Sequence, residues 1–168
     1  LCEKNYLLLT MHRPSNVDAQ EQLCELLSVI NANSRNKKII FPVHPRTEKV
    51  LGSLKNDYSN IFPVSALSYL EFNYLVKHAF GVLTDSGGIT EETTMFHVPC
   101  LTLRENTERP ETVTVGTNEL VGTQPEKISS AMETLFSGNW KAGGIPDLWD
   151  GMAGERMVNI LIDLLTKS

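Results

Sequence analysis

The chain predicts an α/β fold, a Rossmann-like parallel sheet with helices on both faces. Three observations carry that expectation. Apolar blocks of strand length alternate with segments whose apolar residues recur at helical spacing, the pattern of repeated βαβ units. The first block, Tyr6-Leu7-Leu8-Leu9-Thr10-Met11, is apolar on successive residues, as a strand covered on both faces must be. The fourth, residues 80–84, runs straight into Asp85-Ser86-Gly87-Gly88 and then a helical stretch.

Each element has its own justification. After Asn16-Val17-Asp18, the residues Leu23, Leu26, Leu27 and Ile30 mark one face of a helix. Residues 38–43 form the second strand, followed by His44-Pro45 and a short helix carrying Val50, Leu51 and Leu54. A short third strand spans 61–64. Ser68 with Glu71 three residues on is a capping box, and it opens a helix that runs to about His78. Strand four covers 80–84, and Glu91 to Phe96 belong to the helix behind it. Residues 100–103 form strand five, and Glu119-Leu120-Val121 lies in strand six. Thr123 with Glu126 reads as a second capping box, with Pro125 early in the helix where its missing N–H costs nothing. That helix carries Ile128, Met132, Leu135 and Phe136. After a loop from Gly138 to Gly144, a last helix from about Gly151 to Leu165 sets Met157, Ile160, Leu161 and Leu164 on one face.

Right-handed crossovers bring every strand's carboxyl end to the same edge of the sheet. Ligands of such sheets bind at that edge. The polar motifs gather there: His12-Arg13 after strand one, His44-Pro45-Arg46 after strand two, Asp85 to Gly88 after strand four, and Arg104 to Arg109 after strand five.

A length of 168 residues suits a single domain with a sound core. The net charge of −5, from 15 basic and 20 acidic residues, argues against binding nucleic acid or an anionic membrane through bulk electrostatics. It leaves room for an anionic small molecule held by a few local donors. No apolar run reaches membrane-spanning length, and the start lacks the apolar core of a signal peptide. Cys2, Cys24 and Cys100 are odd in number and without CxxC spacing, so neither a disulfide framework nor a zinc site is expected. A reducing cytoplasm is the simpler setting. No metal and no cofactor is expected. The chain lacks an initiator Met and reaches its first strand within a few residues, which reads as a domain excised from something longer.

The glycine junction carries the chemistry. Gly87 and Gly88 let an anion approach the backbone closely. The first N–H groups of the following helix lack internal acceptors, and the peptide dipoles add partial positive charge there. Ser86 adds a hydroxyl, and Glu91 or Glu92 stands one turn on to take the hydroxyls of a ribose. The bland alternative is an ordinary capped helix start worth about 1 kcal/mol.

Taken in order, several motifs bear a resemblance. They are Thr10-Met11-His12-Arg13-Pro14-Ser15-Asn16-Val17, Phe41-Pro42-Val43-His44-Pro45, Leu83 through Glu92, Asn106-Thr107-Glu108-Arg109-Pro110-Glu111-Thr112-Val113 with Gly116-Thr117-Asn118, and Leu148-Trp149-Asp150-Gly151. The chain resembles the non-hydrolysing UDP-N-acetylglucosamine 2-epimerases, over nearly its whole length, and specifically the C-terminal half of their two-domain GT-B fold. The resemblance implies interconversion of UDP-GlcNAc and UDP-ManNAc, by elimination of UDP across C1–C2 and re-addition to the other face of a bound glycal.

It also implies roles. Ser86, Gly87 and Gly88 hold the diphosphate, and Glu92 takes the ribose hydroxyls. Arg109 binds phosphate or sugar oxygens, with Glu108 orienting it or binding hydroxyls. His12 is the active-site histidine, donating to the leaving phosphate or moving a proton. Arg13 contacts an anion and, in some bacterial members, a second, regulatory UDP-GlcNAc; His44 matches that regulatory region. Phe72 matches an aromatic near the uracil. Other readings stay open at this stage. Glu92 suits a solvated helix face, Arg109 a surface pair at a helix start, and His44 a cap before the next helix. Phe72 suits a hydrophobic staple with Leu67. Asp85 reads as fixing the loop. Pro14-Ser15 departs from the usual charged or polar pair, which weighs against second-site regulation.

The acid/base carboxylates of the resembled family sit on the N-terminal domain. The isolated chain is therefore expected to keep weak UDP affinity and to lack epimerase activity. Its expected partners are a UDP-sugar, the missing N-terminal domain and, at full length, a second copy in a homodimer. The alternatives are a hydrolysing UDP-GlcNAc 2-epimerase, a GT-B glycosyltransferase donor domain and a non-catalytic nucleotide-sugar-binding module.

Overall fold

Alternating strands and helices wind one parallel sheet in the computed structural model, which describes residues 2–43, 47, 51 and 58–166. The chain runs β1 (Tyr6–Thr10), α1 (Pro14–Val17), α2 (Gln20–Ala32), β2 (Lys38–Pro42), β3 (Ile61–Val64), α3 (Tyr69–His78), β4 (Gly81–Thr84), α4 (Gly87–Met95), β5 (Cys100–Thr102), α5 (Pro110–Thr114), β6 (Asn118–Leu120), α6 (Pro125–Phe136) and α7 (Ala153–Thr166). His44 and most of the short helix expected around Val50 and Leu54 lie outside the described residues.

The strands order as β3-β2-β1-β4-β5-β6, every pairing parallel. The chain starts in the middle, winds outward through β2 and β3, returns beside β1 as β4, and winds out the other way. The carboxyl ends of β1 and β4 therefore diverge at a topological switch point, where a crevice opens.

The unbroken apolar run of β1 has the structural consequence expected of it. Leu7 and Leu9 enter one core with Leu23, Leu26 and Ile30 of α2 and Ile128, Met132 and Leu135 of α6. Tyr6 and Leu8 enter a second core on the opposite face with Val76 of α3, where Phe72, Leu75, Ile89 and Phe96 pack alongside. Both faces of the sheet are covered.

The Ser68 capping box forms as expected, its hydroxyl and the Glu71 carboxylate answering each other's backbone. The Thr123 box does not. Gln124 is the N-cap, without a side-chain cap bond, and Pro125 takes the first helical position. The fixed φ of proline sets that start, one residue later than the Ser/Thr signal suggested. In α7 the apolar face is present but no residue is buried, and Met157, Ile160 and Leu161 are each more than half exposed. No helix among the described residues is long and apolar enough to cross a membrane.

Candidate functional site

At the switch point the two central strands end in register. Thr10 pairs with Thr84, and their hydroxyls lie 2.8 Å apart. Beyond them the backbones part, β1 into His12-Arg13 and β4 into Asp85-Ser86. Asp85 bridges the gap. Its carboxylate is fully buried. It accepts the backbone N–H of His12 on both oxygens at 3.1 Å and that of Arg13 at 2.9 Å. Asn16 Nδ2 adds a bond at 3.1 Å, and the ring nitrogen Nδ1 of His12 lies 2.9 Å from Oδ1. In return Arg13 Nε donates to the Asp85 carbonyl at 3.1 Å. Asn16 is held as well by the Leu103 carbonyl at 3.3 Å, so three strand ends are tied together. The reading of Asp85 as the residue that fixes the loop holds.

Helix α4 begins against this latch. Ser86 is its N-cap in extended conformation, with its own amide on Thr84 Oγ1 at 3.0 Å. Unlike Ser68, Ser86 makes no side-chain cap bond. The amides of Gly87, Gly88 and Ile89, in the first turn, have no intrahelical acceptor, and the helix dipole adds positive potential there. A Cβ on Gly88 would meet nothing within 4 Å, whereas one on Gly87 would lie 3.3 Å from Glu108 Oε2. The backbone at Gly88 is therefore open to an approaching group.

The stretch after β5 closes the other side. Arg104 is buried and grips Glu108 with two bonds of 2.8 and 2.7 Å, plus Asn106 at 2.9 Å. Arg13 reaches the same Glu108 carboxylate at 3.4 Å. The Arg104 hydrogen bonds hold the Glu108 carboxyl down at about 2. Arg109 caps α5, pairs with Glu91 through Nε and donates to the Glu108 carbonyl at 3.1 Å.

Glu92 lies in a cavity of about 310 Å³ lined by Tyr69, Asn73, Glu91, Met95, Phe96 and Trp149. Burial pushes its carboxyl above the ordinary value, opposed by hydrogen bonds from Asn73 (3.4 Å) and Tyr69. The cavity draws on Tyr69 and Asn73 of α3, while Phe72 of the same helix packs against the second core.

The structure thus brings His12, Arg13, Ser86, Gly87 and Gly88 together around Asp85, and sets Glu92 and Arg109 on the outer flank of α4. Sequence reasoning did not single out Asn16, Arg104, Tyr69 or Asn73. Two signals were there to find: an Asn one turn after His-Arg, and the four-residue spacing of Arg104 and Glu108 in a polar run. Among the described residues no three His, Cys, Asp or Glu side chains gather as a metal site. A separate groove of about 590 Å³ runs between β6 and α6 beside Trp140, far along the sheet from this crevice.

Comparison with known proteins points one way. The family model described as UDP-N-acetylglucosamine 2-epimerase matches residues 1–162. A UDP-N-acetylglucosamine 2-epimerase of Methanocaldococcus jannaschii is 44% identical over 95% of this chain and 45% of its own length. One from Methanococcus maripaludis is 42% identical over 94% of this chain and 44% of its own length. The chain thus spans a little under half the length of these curated relatives. The crystal structure of the M. jannaschii enzyme in complex with UDP-GlcNAc and UDP superposes with a TM-score of 0.81 at 44% identity, over 94% of this chain and 45% of that one.

Proposed function

This chain belongs to the UDP-N-acetylglucosamine 2-epimerase family, and we propose that it is the UDP-holding half of an enzyme that interconverts UDP-GlcNAc and UDP-ManNAc. One observation carries the reading. The first turn of α4, open at Gly88, stands at the switch point, and Asp85 locks His12 and Arg13 beside it.

In the proposed reaction a base removes the hydrogen at C2 of the sugar, the C1–O bond breaks, and its electron pair goes to the β-phosphate of departing UDP. The negative charge that develops on that phosphate faces donors already in place, which stabilise it without reorganisation. Ser86, Gly87, Gly88 and Arg13 supply them. Glu92 takes the ribose hydroxyls from its cavity, and Arg109, swinging from Glu91, reaches the diphosphate or sugar. His12 exchanges a proton with the leaving oxygen. Because UDP stays bound, its return to the other face of the glycal is effectively intramolecular.

The base for C2 belongs to the half of the enzyme absent from this chain, consistent with relatives about twice as long. The same half covers the apolar face of α7. The full-length protein is then a cytoplasmic homodimer, a setting that suits three free cysteines. A regulatory role for Arg13 and His44 rests on the resemblance alone. The glycosyltransferase, hydrolysing-enzyme and sensor readings gain no observation of their own.

The test has two parts. Calorimetry of this chain with UDP gives binding, and a coupled assay for UDP-ManNAc gives no turnover by the chain alone and robust turnover by the full-length protein. Absence of UDP binding by both forms, or robust turnover by the chain alone, overturns the proposal.

A further inference from the structure

We propose that Asp85 is a positioning residue that fixes His12 in the Nδ1–H tautomer, so that Nε2 is the nitrogen that exchanges protons at the crevice. The inference rests on the proposed function only for what Nε2 acts upon; the tautomer itself follows from the geometry.

Asp85 is buried at the junction of β1 and β4, and its carboxylate is acceptor-only. Three groups with hydrogens to give already point at it: the backbone amides of His12 and Arg13, and the Asn16 amide. Those bonds suffice to latch the loop. The fourth contact, His12 Nδ1 at 2.9 Å from Oδ1, is not needed for the latch, since the backbone of the same residue is already bound. A carboxylate has no hydrogen to offer a bare ring nitrogen, so at this distance Nδ1 must carry one. That is the reverse of the preference of free histidine, which favours Nε2–H. The identity of the protonated nitrogen is set by the partner of the other.

Two further constraints fix the ring. Its backbone is clamped at both His12 and Arg13 by the same carboxylate, so tautomer and ring position are set by one group. The acceptor in turn is held by Asn16, which is anchored to the end of β5 through Leu103. The His12 side chain is 58% exposed. With Nδ1 turned inward to a fully buried oxygen, Nε2 is the ring nitrogen left for a ligand. An orienting carboxylate of this kind keeps a proton-transferring histidine in register with its substrate and stabilises the imidazolium when it forms.

The experiment uses the chain labelled with ¹⁵N-histidine, at mildly alkaline pH. Long-range ¹H–¹⁵N correlation reports the tautomer, and His12→Gln identifies the signal by its disappearance. The expected result is a protonated Nδ1 and a bare Nε2. A protonated Nε2, or values averaged between the two forms, overturns the proposal. Asp85→Asn keeps the shape and offers an amide N–H to Nδ1; the expected result is inversion to Nε2–H, and an unchanged tautomer counts against the proposal. In the full-length protein the same variant is expected to lose kcat by roughly a hundredfold or more with KM little changed, the signature of an orienting group. Should Asp85→Asn not fold, the spectrum of the unmodified chain decides alone. Asn16→Ala is the control for a purely structural role and leaves the tautomer as it was. A UDP titration on the same labelled sample and on the full-length protein separates the two claims: silence in both refutes the proposed function while the ring assignment stands or falls on its own.

Discussion

Substituting Gly88 by alanine tests the amide-cradle reading where the fold itself should not object. Gly88 is the second residue of α4, and an added Cβ would meet nothing within 4 Å. No rearrangement is required, and its φ is not in the left-handed region that only glycine tolerates. Alanine in a helix is favoured over glycine by up to about 1 kcal/mol, less near an end. The Tm of the chain should stay level or rise by about 1–3 °C, given the usual sensitivity of a domain this size.

UDP binding should move the other way. If the diphosphate lies against these amides, the methyl group stands where a phosphate oxygen belongs. It forfeits a charge-assisted hydrogen bond, worth about 1.5–3 kcal/mol, or about 10- to 100-fold in Kd. Calorimetry with UDP and a thermal melt on the same preparation measure both. A stable Gly88→Ala protein with unaltered UDP affinity would refute the placement of the diphosphate. Gly87→Ala is a poorer probe. Its Cβ would lie 3.3 Å from Glu108 Oε2, so a loss of affinity there would mix ligand contact with damage to the Arg104–Glu108 pair.

Further outcomes follow from the same geometry. The Glu108 carboxyl is held at about 2 in the fold against an ordinary 4.5, so its pairing stabilises the protein above the ordinary value and that support is lost as pH falls from there toward 2. Thermal melts of Glu108→Gln should show a shallower pH dependence across that window than the unmodified chain. Glu92 has the opposite sign: burial raises its carboxyl, so its charged form costs stability at neutral pH. Glu92→Gln should raise Tm slightly while weakening UDP by roughly tenfold, the loss expected of one charged hydrogen-bond acceptor. At Gly116 an added Cβ would sit 2.4 Å from Thr94 Oγ1 and 2.6 Å from the Thr112 carbonyl, so Gly116→Ala should destabilise by about 1–3 kcal/mol in a urea melt. Met157→Asp with Leu161→Asp should leave the melt of this chain nearly unchanged, because both side chains are exposed. The same pair should sharply destabilise the full-length protein; equal effects on both would argue against burial of α7 by the other half.

Much of the fold was legible because its signals are local and redundant. The run Tyr6 to Met11 could only be a strand buried on both faces, and the alternation of Leu7 and Leu9 with Tyr6 and Leu8 between two cores is its direct result. The Ser68 box named its own helix start. Thr123 misled by one residue because two signals competed, and the proline, whose backbone angle is fixed covalently, won over a side-chain bond. The last helix shows a different limit. Periodicity reveals that α7 has an apolar face but not whether that face is covered within this chain.

The site was legible in its parts and not in its wiring. Motif order put His12, Arg13, Ser86 and the two glycines at one edge, because topology alone brings strand ends together. It could not show that a single buried carboxylate joins them, since Asp85 and His12 are 73 residues apart in sequence. Nor could it show that Arg104, four residues ahead of Glu108, buries itself to hold that glutamate beside the glycine loop. Position in the chain says which groups meet at the switch point; burial and hydrogen-bond geometry say which of them is free to act. Glu108 is paired with Arg104 and Arg13, and Asp85 takes four donor contacts. What remains for a ligand at the crevice is the amide face of α4, the Ser86 hydroxyl, the rest of the Arg13 guanidinium and one nitrogen of His12. That is a set able to hold a diphosphate and to exchange a proton with it. Among the described residues at the crevice, the carboxylates of Asp85 and Glu108 are already engaged, which accords with the proposal that the base for C2 comes from the other half of the enzyme.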